Sequence, residues 1–239
     1  MDPWAWLETT DYISKFGNLP DIDNTDANED VWDGTDAYTF PTTASTTTIT
    51  STVAADAVSG TGAETVHIFG LDADYMLQDE AVSLTGTNTA TAANTYLRIY
   101  RAFVETAGSN DGNVGDLSIE IGGTEAAKIL AGVGQTLMAI YTIPADYDHG
   151  RLLSWYAGVS SRVDSLATVA LQVRPFGGAW QTKRLAGAVT DGTPWQQSLD
   201  FPDKFEAKTD IRIRVEGVSA NSSAVFGGFD ILLRRSDRP

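Results

Sequence analysis

The chemistry open to this chain is limited first by its bases and nucleophiles. It has two histidines, His67 and His149, and no cysteine. Nucleophilic catalysis needs a hydroxyl or thiol within reach of a base, yet His67 lies in the strand-like run ETVHIFG and His149 in the turn DYDHG. In that turn, the neighbouring Asp146 and Asp148 should raise the pKa of His149. We predict no catalytic residue and no enzymatic activity.

Carboxylates are the other reactive groups, and the chain has 32 acidic residues. Glycoside hydrolysis by two carboxylates depends on their separation in space, so an enzyme acting on polysaccharide stays a third alternative. The best calcium patterns are DIDNTD at 21–26 and DADY at 72–75. The first lacks the glycine and the final acid of a calcium loop, and the second is typical of a hairpin turn. We predict no metal site and no cofactor.

Three tryptophans, Trp155, Trp180 and Trp195, fall in one part of the chain. Large aromatic side chains mostly pack in the core or on a sheet face, but an exposed indole ring can stack on a sugar. These three residues are therefore candidates for glycan binding, with core packing as the alternative.

The elements that must position these residues are short β-rich runs separated by Gly, Asp and Asn from residue 38 onward. In IRIRV, Ile211, Ile213 and Val215 should face inward, and Arg212 and Arg214 outward. The segment TEAAKILAG fits one helical turn or a strand. The predicted class is all-β, as one elaborated or two tandem β-sandwiches of jelly-roll-like type. Strands are predicted near 46–53, 63–70, 80–86, 94–106, 116–122, 135–143, 151–160, 166–175, 179–187, 209–217 and 224–234.

The first residues have a different character. The spacing of apolar residues predicts a short helix over 2–17, and the charged, aperiodic stretch after it predicts an extended arm. A possible internal repeat, SGTGAETVHIFGLDADY at 59–75 and AGVGQTLMAIYTIPADY at 131–147, suggests two similar domains. The predicted organisation is an acidic arm over 1–41, a first sandwich over 42–123 and a second over 124–239.

The net charge of −16 opposes binding to nucleic acid, because phosphate contacts depend on Lys and Arg. The charge is uneven: residues 1–36 carry −9, residues 37–124 carry −8 and residues 125–239 carry +1. An acidic front suits a partner with a basic surface, and solubility is the alternative explanation. No apolar run is long enough to span a membrane and no signal-like start is present, so we expect neither membrane insertion nor export through its own signal.

A resemblance extends over roughly 28–234. Its ordered blocks are EDVWDGTDAYTFP, SGTGAETVHIFGLDADY, YLRIYRAFVETAGSNDGNVGDLSIEIGG, GQTLMAIYTIPADY, WYAGVSS and VRPFGGAWQTK. Together these blocks resemble virion structural proteins of tailed phages, especially marine podovirus-like ones. The resemblance implies an assembled, non-enzymatic virion component, made in the host cytoplasm and placed on the capsid exterior or the tail. The turn ADYDHGRLL at 145–153 departs from the family pattern, which favours a Gly/Lys turn.

These observations lead to one functional hypothesis and one main alternative. The hypothesis is a capsid decoration or cement protein, of which a vertex turret is one form, assembled as a homo-oligomeric trimer or pentamer. Its arm would dock on the major capsid protein or a neighbouring virion subunit, because aromatic residues dominate interface energetics. The alternative is a tail-associated receptor-binding module that recognises host surface glycans. The arm anchors in the first hypothesis are Trp4, Trp6 and Trp32, with Asp30 and Asp33 steering the arm toward basic surface.

Overall fold

The structure, a computed structural model, describes residues 10–26, 28–34, 37–190 and 192–235. Within these ranges the chain forms sixteen β-strands, and no helix long and apolar enough to cross a membrane is found there. In chain order the strands are β1 (Thr10–Ile22), β2 (Glu29–Asp30), β3 (Ser45–Ser51), β4 (Ala63–Leu71), β5 (Leu77–Ser83), β6 (Ala90–Tyr96), β7 (Arg98–Ala107), β8 (Leu117–Ile121), β9 (Thr124–Ile129), β10 (Ile140–Thr142), β11 (Tyr147–Ser160), β12 (Leu166–Arg174), β13 (Gln181–Val189), β14 (Trp195–Glu206), β15 (Asp210–Val218) and β16 (Ser223–Arg235).

The all-β class is confirmed, but the predicted helix at 2–17 is not. Residues 10–17 belong to β1, which pairs along its length with β16, and residues 2–9 lie outside the described residues. The apolar spacing that suggested a helix also fits a strand that pairs on one side with β16. Pairing with β16 gives these residues long-range contacts that a short isolated helix lacks, and such helices are marginal in water.

The chain divides into two compact units. Unit 1 combines the residues up to Trp32 with those from Ala139 onward, and unit 2 is Asp33–Met138. The predicted division at Gly122–Gly123 instead falls in a hairpin turn, where both glycines have positive φ, 58° and 82°, between the paired strands β8 and β9. The second copy of the supposed repeat crosses from unit 2 into unit 1, so the two copies are not equivalent domains.

Unit 1 contains two antiparallel sheets, in the orders β1-β16-β11-β14 and β10-β15-β12-β13, with β2 also paired to β15. Residues 10–32 are thus part of this unit rather than a separate arm. Ile211, Ile213 and Val215 of β15 are fully buried, which confirms the inward half of the predicted alternation. The prediction that Arg212 faces solvent is wrong. Its side chain is buried, because other side chains cover that face of the sheet.

Unit 2 also contains two antiparallel sheets, β6-β3-β8-β9 and β5-β4-β7. Both sheets turn apolar residues inward: Ile49 and Ile119 from the first and Val66, Ile68 and Ala102 from the second are buried. The segment TEAAKILAG, for which a helical turn and a strand were both considered, forms strand β9 as far as Ile129.

Candidate functional site

The first predicted site residue, Asp30, is buried in a charge pair. It lies on β2 opposite Arg214 of β15, and its side chain is fully buried. Arg212 Nη1 donates to Asp30 Oδ2 at 3.2 Å, and Arg214 Nε lies 4.0 Å from Oδ1. Burial lowers the pKa of Arg212 to about 10, against the opposing effect of Asp30, so the guanidinium stays charged at neutral pH. Asp30 therefore cannot steer an arm toward a partner.

Trp32 and Asp33, the next two predicted contact residues, are buried as well. Just before them, the Val31 N–H donates to the Ile213 carbonyl and the Val31 carbonyl accepts from the Ala139 N–H. In unit 2, the Leu137 N–H donates to Asp33 Oδ2 at 3.0 Å. These contacts explain why an acidic, aperiodic sequence is ordered here. The exposed anchor predicted at Trp32 is wrong, because the indole packs inside the folded chain.

A cation and aromatic cluster covers one end of the outer face of β15. The guanidinium carbon of Arg212 lies 3.9 Å from the centroid of the Trp180 ring, and that of Arg174 lies 4.8 Å from it. Gln172 Oε1 accepts from Arg212 Nε and Nη2 at 3.1 and 2.9 Å. Arg174 also donates to Asp210 at 2.6 and 3.0 Å. The ring of Trp180 is thus used within the fold by two arginines, which leaves less of it for stacking on a sugar.

The other two candidate glycan residues pack against each other. Trp155 is fully buried, its ring centroid lies 4.6 Å from that of Trp195, and its Nε1 donates to Gln197 Oε1 at 3.3 Å. On its other side Trp155 is paired with Phe229 of β16. Trp155 therefore has no free face for a ligand, and only part of Trp195 reaches the surface.

The two histidines occupy unlike places. His67 of β4 contacts Asp79 of β5 through Nε2 at 2.8 Å and Glu105 of β7 through Nδ1 at 3.2 Å. The hydrogen bond with Asp79 is the main reason that the pKa of His67 is raised, and Glu105 adds to it. Because the two nitrogens point to opposite carboxylates, this group joins three strands and cannot chelate one metal ion. The imidazole ring of His67 also stacks on the ring of Phe69, with centroids 4.6 Å apart.

His149 shows the opposite shift from the one predicted. Burial lowers the pKa of His149, and the positive charges of Lys204 and Arg151 lower it further. The expectation that neighbouring acids raise this pKa is wrong, because the imidazole lies in the sheet and the effect of Asp148 is smaller than that of burial.

The carboxylates of the two acidic runs, 21–26 and 72–75, accept hydrogen bonds from backbone groups of the chain itself. Asp23 Oδ1 accepts from the Ser222 N–H at 2.8 Å, and Asp26 Oδ2 accepts from the Asp23 N–H at 3.1 Å. Asp72 Oδ1 accepts from the Asp74 and Met76 N–H groups at 2.8 and 2.9 Å, which is an Asx turn in a hairpin. In the ranges that the structure describes, no group of three or more metal-binding side chains is found.

A buried carboxylate that the sequence did not reveal lies in unit 2. Asp56 accepts four hydrogen bonds of 2.6 to 2.9 Å, and none of its side chain is exposed. Burial by itself would raise the pKa of Asp56, but these hydrogen bonds hold it below its ordinary value. The donors come from three places in the chain: the Ser51 hydroxyl and the N–H groups of Ala63, Val114 and Gly115. Asp56 is thus a structural centre that joins loops.

The most distinctive surface of unit 1 is apolar. The exposed fractions are 49% for Leu166, 58% for Leu185, 55% for Val189 and 91% for Phe201. Leu166 and Val189 are directly paired across β12 and β13, and Phe201 lies on β14. Leu166 also lines an open groove of about 350 Å³ together with Val218. We call Leu166, Leu185, Val189 and Phe201 the apolar edge surface.

No protein-family model and no curated protein matches this chain. Among solved structures, particles of infectious bursal disease virus are similar to it in part. The structures of the Gt strain, the Gx strain and derived T=1 particles are each 9% identical to the chain, with TM-scores of 0.26, 0.29 and 0.27. They cover 97%, 97% and 95% of this chain and 74%, 73% and 70% of their own. TM-scores this low do not establish a shared fold.

The structure thus separates the predicted site residues instead of gathering them. Asp30, Trp32 and Asp33 hold strand ends in place, and the three candidate glycan residues fall in two different packing groups. Trp4 and Trp6 lie outside the described residues, so their part in binding stays a prediction. The apolar edge surface was missed because Leu166, Leu185 and Val189 have the same residue types as the core. Only Phe201, between Asp200 and Pro202, carried a local signal.

Proposed function

We propose that this protein is a structural component of a virus particle, in the form of a capsid decoration or cement protein. The observation that carries the proposal is the apolar edge surface, which lies on β12, β13 and β14 of unit 1. Contiguous exposed apolar residues are typical of interaction sites, and a subunit of an assembly has neighbours to cover them. The sequence blocks that resemble tailed-phage virion proteins support a virus particle as that assembly.

The segment proposed to anchor the protein to the capsid is shorter than the predicted arm of 41 residues. Residues 10–26 and 28–33 are built into the two units, so they are not free to wrap a neighbour. The proposed anchors are therefore Trp4 and Trp6, and the proposed partners are the major capsid protein or a neighbouring virion subunit. A homo-oligomer on the capsid exterior, a trimer or pentamer, is part of the same proposal.

The packing of the tryptophans weakens the alternative, a tail-associated module that recognises glycans. It required exposed indole faces at Trp155, Trp180 or Trp195. Trp155 is fully buried and Trp180 lies against two guanidinium groups. No observation on the described surface favours a sugar ligand, and we therefore retain the decoration role as the proposal.

Particle composition tests the proposal most directly. The protein should be present in gradient-purified particles of the virus that encodes it, at a copy number comparable with that of the major capsid protein, as measured by quantitative mass spectrometry. A decoration protein repeats over the icosahedral shell, so its stoichiometry follows the shell symmetry. A small copy number would place it in the tail or at a vertex. Its absence from particles, with abundant protein in the lysate, would refute a virion role.

A binding experiment tests the anchor. Trp4→Ala with Trp6→Ala should weaken binding to particles depleted of the protein at least about tenfold, because aromatic anchors each contribute 1 kcal/mol or more. Phe176→Ala removes an exposed aromatic side chain elsewhere on unit 1 and is the matched control. Equal binding by both variants would show that docking does not use these tryptophans.

A further inference from the structure

Strand β13 is an outer strand with an open side. It pairs with β12 on one side, and no described strand pairs with the other. Such an edge presents backbone N–H and C=O groups that can template another strand. Its last five residues, LAGAV at 185–189, contain neither charge nor proline. Leu185 and Val189 lie on the outer face of the sheet, whereas Ala186 and Ala188 are buried.

Two other outer strands, β14 and β9, carry residues that prevent unwanted pairing. Strand β14 contains Pro202 and Lys204, and β9 contains Glu125 and Lys128. Proline, lysine and other charges are the usual protection of a sheet edge. Residues 185–189 lack both charge and proline, which indicates that this part of β13 is covered by a partner in the functional protein.

We propose that β13 pairs with β13 of a second copy, antiparallel about a two-fold axis at Gly187. In this register Gly187 faces Gly187 of the second copy, and Leu185 faces Val189 of the second copy twice. Each of these apolar pairs lies on the outer face, beside Leu166, which is already paired with Val189. Cross-strand pairs of large apolar side chains stabilise a sheet. A two-fold contact uses the same patch on both copies, so it closes on itself.

The charges at the two ends of β13 suit this arrangement. Lys183 is exposed at one end. At the other end, the Thr190 N–H donates to the Ser165 carbonyl at 3.0 Å, which brings the exposed Asp164 beside that end of the strand. In the antiparallel pair, Lys183 of each copy lies toward the end of β13 where Asp164 of the other copy is placed. The pair therefore gains two opposite-charge contacts near its rim.

The apolar edge surface extends the contact beyond β13. Residues 199–202 form a bulge in β14, because Leu152 pairs with Asp203 and Ser154 pairs with Ser198 on the facing strand. Asp203, two residues after Phe201, forms an ion pair of 2.5 Å with Arg184 of β13. Phe201 therefore flanks the open edge of β13, where a second copy would cover its ring.

The area supports a dimer of modest affinity. From their exposed fractions, the four residues of the apolar edge surface offer on the order of 450 Å² per copy, since a large aromatic side chain alone buries 150–250 Å². A standard stable interface buries about 800 Å² per partner. The backbone and polar groups of β13 would supply the remainder, so we expect dimerisation to depend on concentration in the micromolar range.

A single-cysteine variant tests the two-fold axis. The chain contains no cysteine, so Gly187→Cys introduces the only thiol. A Cβ at this position would meet Leu166 Cδ1 at 3.7 Å, an ordinary contact, so the fold accommodates it. Residues directly opposite in an antiparallel pair have Cα atoms about 4.5 to 5.5 Å apart, which suits a disulfide. Gly187→Cys should form a disulfide-linked dimer on mild oxidation. Thr182→Cys, an exposed position far from the axis, should not.

Sedimentation velocity supplies an independent readout. Leu185→Lys should weaken dimerisation at least tenfold, because it places two charges in the apolar contact. Leu77→Lys makes the same change at a partly exposed leucine on the outer strand β5 and should leave dimerisation unchanged. Lys183→Asp and Asp164→Lys should each weaken the dimer, and the double variant should recover it.

The proposal is overturned if the wild-type chain stays monomeric at high concentration. It is also overturned if Gly187→Cys and Thr182→Cys cross-link equally, or if an oligomer forms that Leu185→Lys does not disturb. This contact goes beyond the proposed function, because purified protein tests it without a virus particle. A monomer would leave the virion proposal in place, and absence from virions would leave the dimer in place.

Discussion

Asp56→Asn should destabilise unit 2 strongly although it changes only one buried atom type. The carboxylate accepts from Ser51 and Gly115 through Oδ2 and from Ala63 and Val114 through Oδ1. An asparagine amide keeps one acceptor oxygen and turns an NH₂ group toward the other pair. The Ser51 hydroxyl can rotate to accept, so with NH₂ at the Oδ2 position the Gly115 N–H is left facing a donor.

The magnitude follows from these contacts. A buried, unsatisfied N–H costs about 1–3 kcal/mol, and a hydrogen bond to a charged group contributes about 1.5–3 kcal/mol. We therefore expect Asp56→Asn to lower the free energy of unfolding of unit 2 by about 3 kcal/mol. Because folding lowers the pKa of Asp56, its contribution is present above the ordinary value of 3.8 and is lost as pH falls through the folded pKa. The variant should lack this acid-dependent component.

Hydrogen exchange followed by mass spectrometry measures the effect within unit 2. Protection of the amides of Ala63, Val114 and Gly115 should fall about a hundredfold, since 3 kcal/mol corresponds to roughly two powers of ten. Asp111→Asn makes the same chemical change in an exposed turn with φ of 53°, a conformation that asparagine tolerates well, and is the control. Unchanged protection in Asp56→Asn would refute the view that this carboxylate joins the loops.

Three further predictions concern His67, the pair of Asp30 with Arg212, and Phe201. Because the pKa of His67 is raised in the folded chain, the stabilisation that His67 provides should be complete below pH 6.5 and lost as pH rises through the folded pKa. His67→Gln should remove this pH dependence of the unfolding free energy, as measured by urea titrations followed by circular dichroism. Arg212→Met should cost up to about 3 kcal/mol, because it removes the closer of the two arginines that face the buried carboxylate of Asp30. Adding Asp30→Leu should recover part of that loss, as judged by tryptophan fluorescence, and additive losses would contradict the pairing. Phe201→Ser should change the unfolding free energy by less than about 0.5 kcal/mol, because the ring is exposed, while weakening dimerisation in sedimentation velocity.

Much of the strand content follows from local sequence. The alternation in IRIRV and the turn residues between β-rich runs predict β15, β4 and β12 to within a few residues. Strand β14 was missed, because WQQSLDFPDKFE alternates weakly and contains a proline. Its bulge at 199–202 explains this sequence, since the proline lies where regular pairing with β11 is interrupted.

The burial of charged side chains could not be predicted from local sequence. Asp30 stands in the acidic stretch NEDVWDG and Asp56 in VAADAVSG, before the turn residues Ser59 and Gly60, and in both places a solvated carboxylate is the natural expectation. What buries them are donors distant in the sequence, such as Arg212 for Asp30 and Val114 for Asp56. Gly62 gives an indirect signal, because a Cβ there would lie 2.1 Å from Asp56 Oδ1. A single sequence shows the glycine but not the carboxylate it makes room for.

The insertion of unit 2 into unit 1 predicts that unit 2 can be removed. The chain leaves unit 1 after Trp32 and re-enters at Ala139, and these crossing points are neighbours, since the Ala139 N–H donates to the Val31 carbonyl at 2.9 Å. A domain inserted at adjacent points can be replaced by a short turn without stretching its host. A chain in which a short glycine-serine turn replaces residues 34–137 should fold.

Its tryptophan fluorescence should match that of the full chain, because no tryptophan lies in 33–138. Deleting residues 10–22 from the same shortened chain should abolish folding, because β1 covers the outer side of β16 along its whole length. If the shortened chain is unfolded while retaining β1, unit 1 depends on unit 2 for its stability.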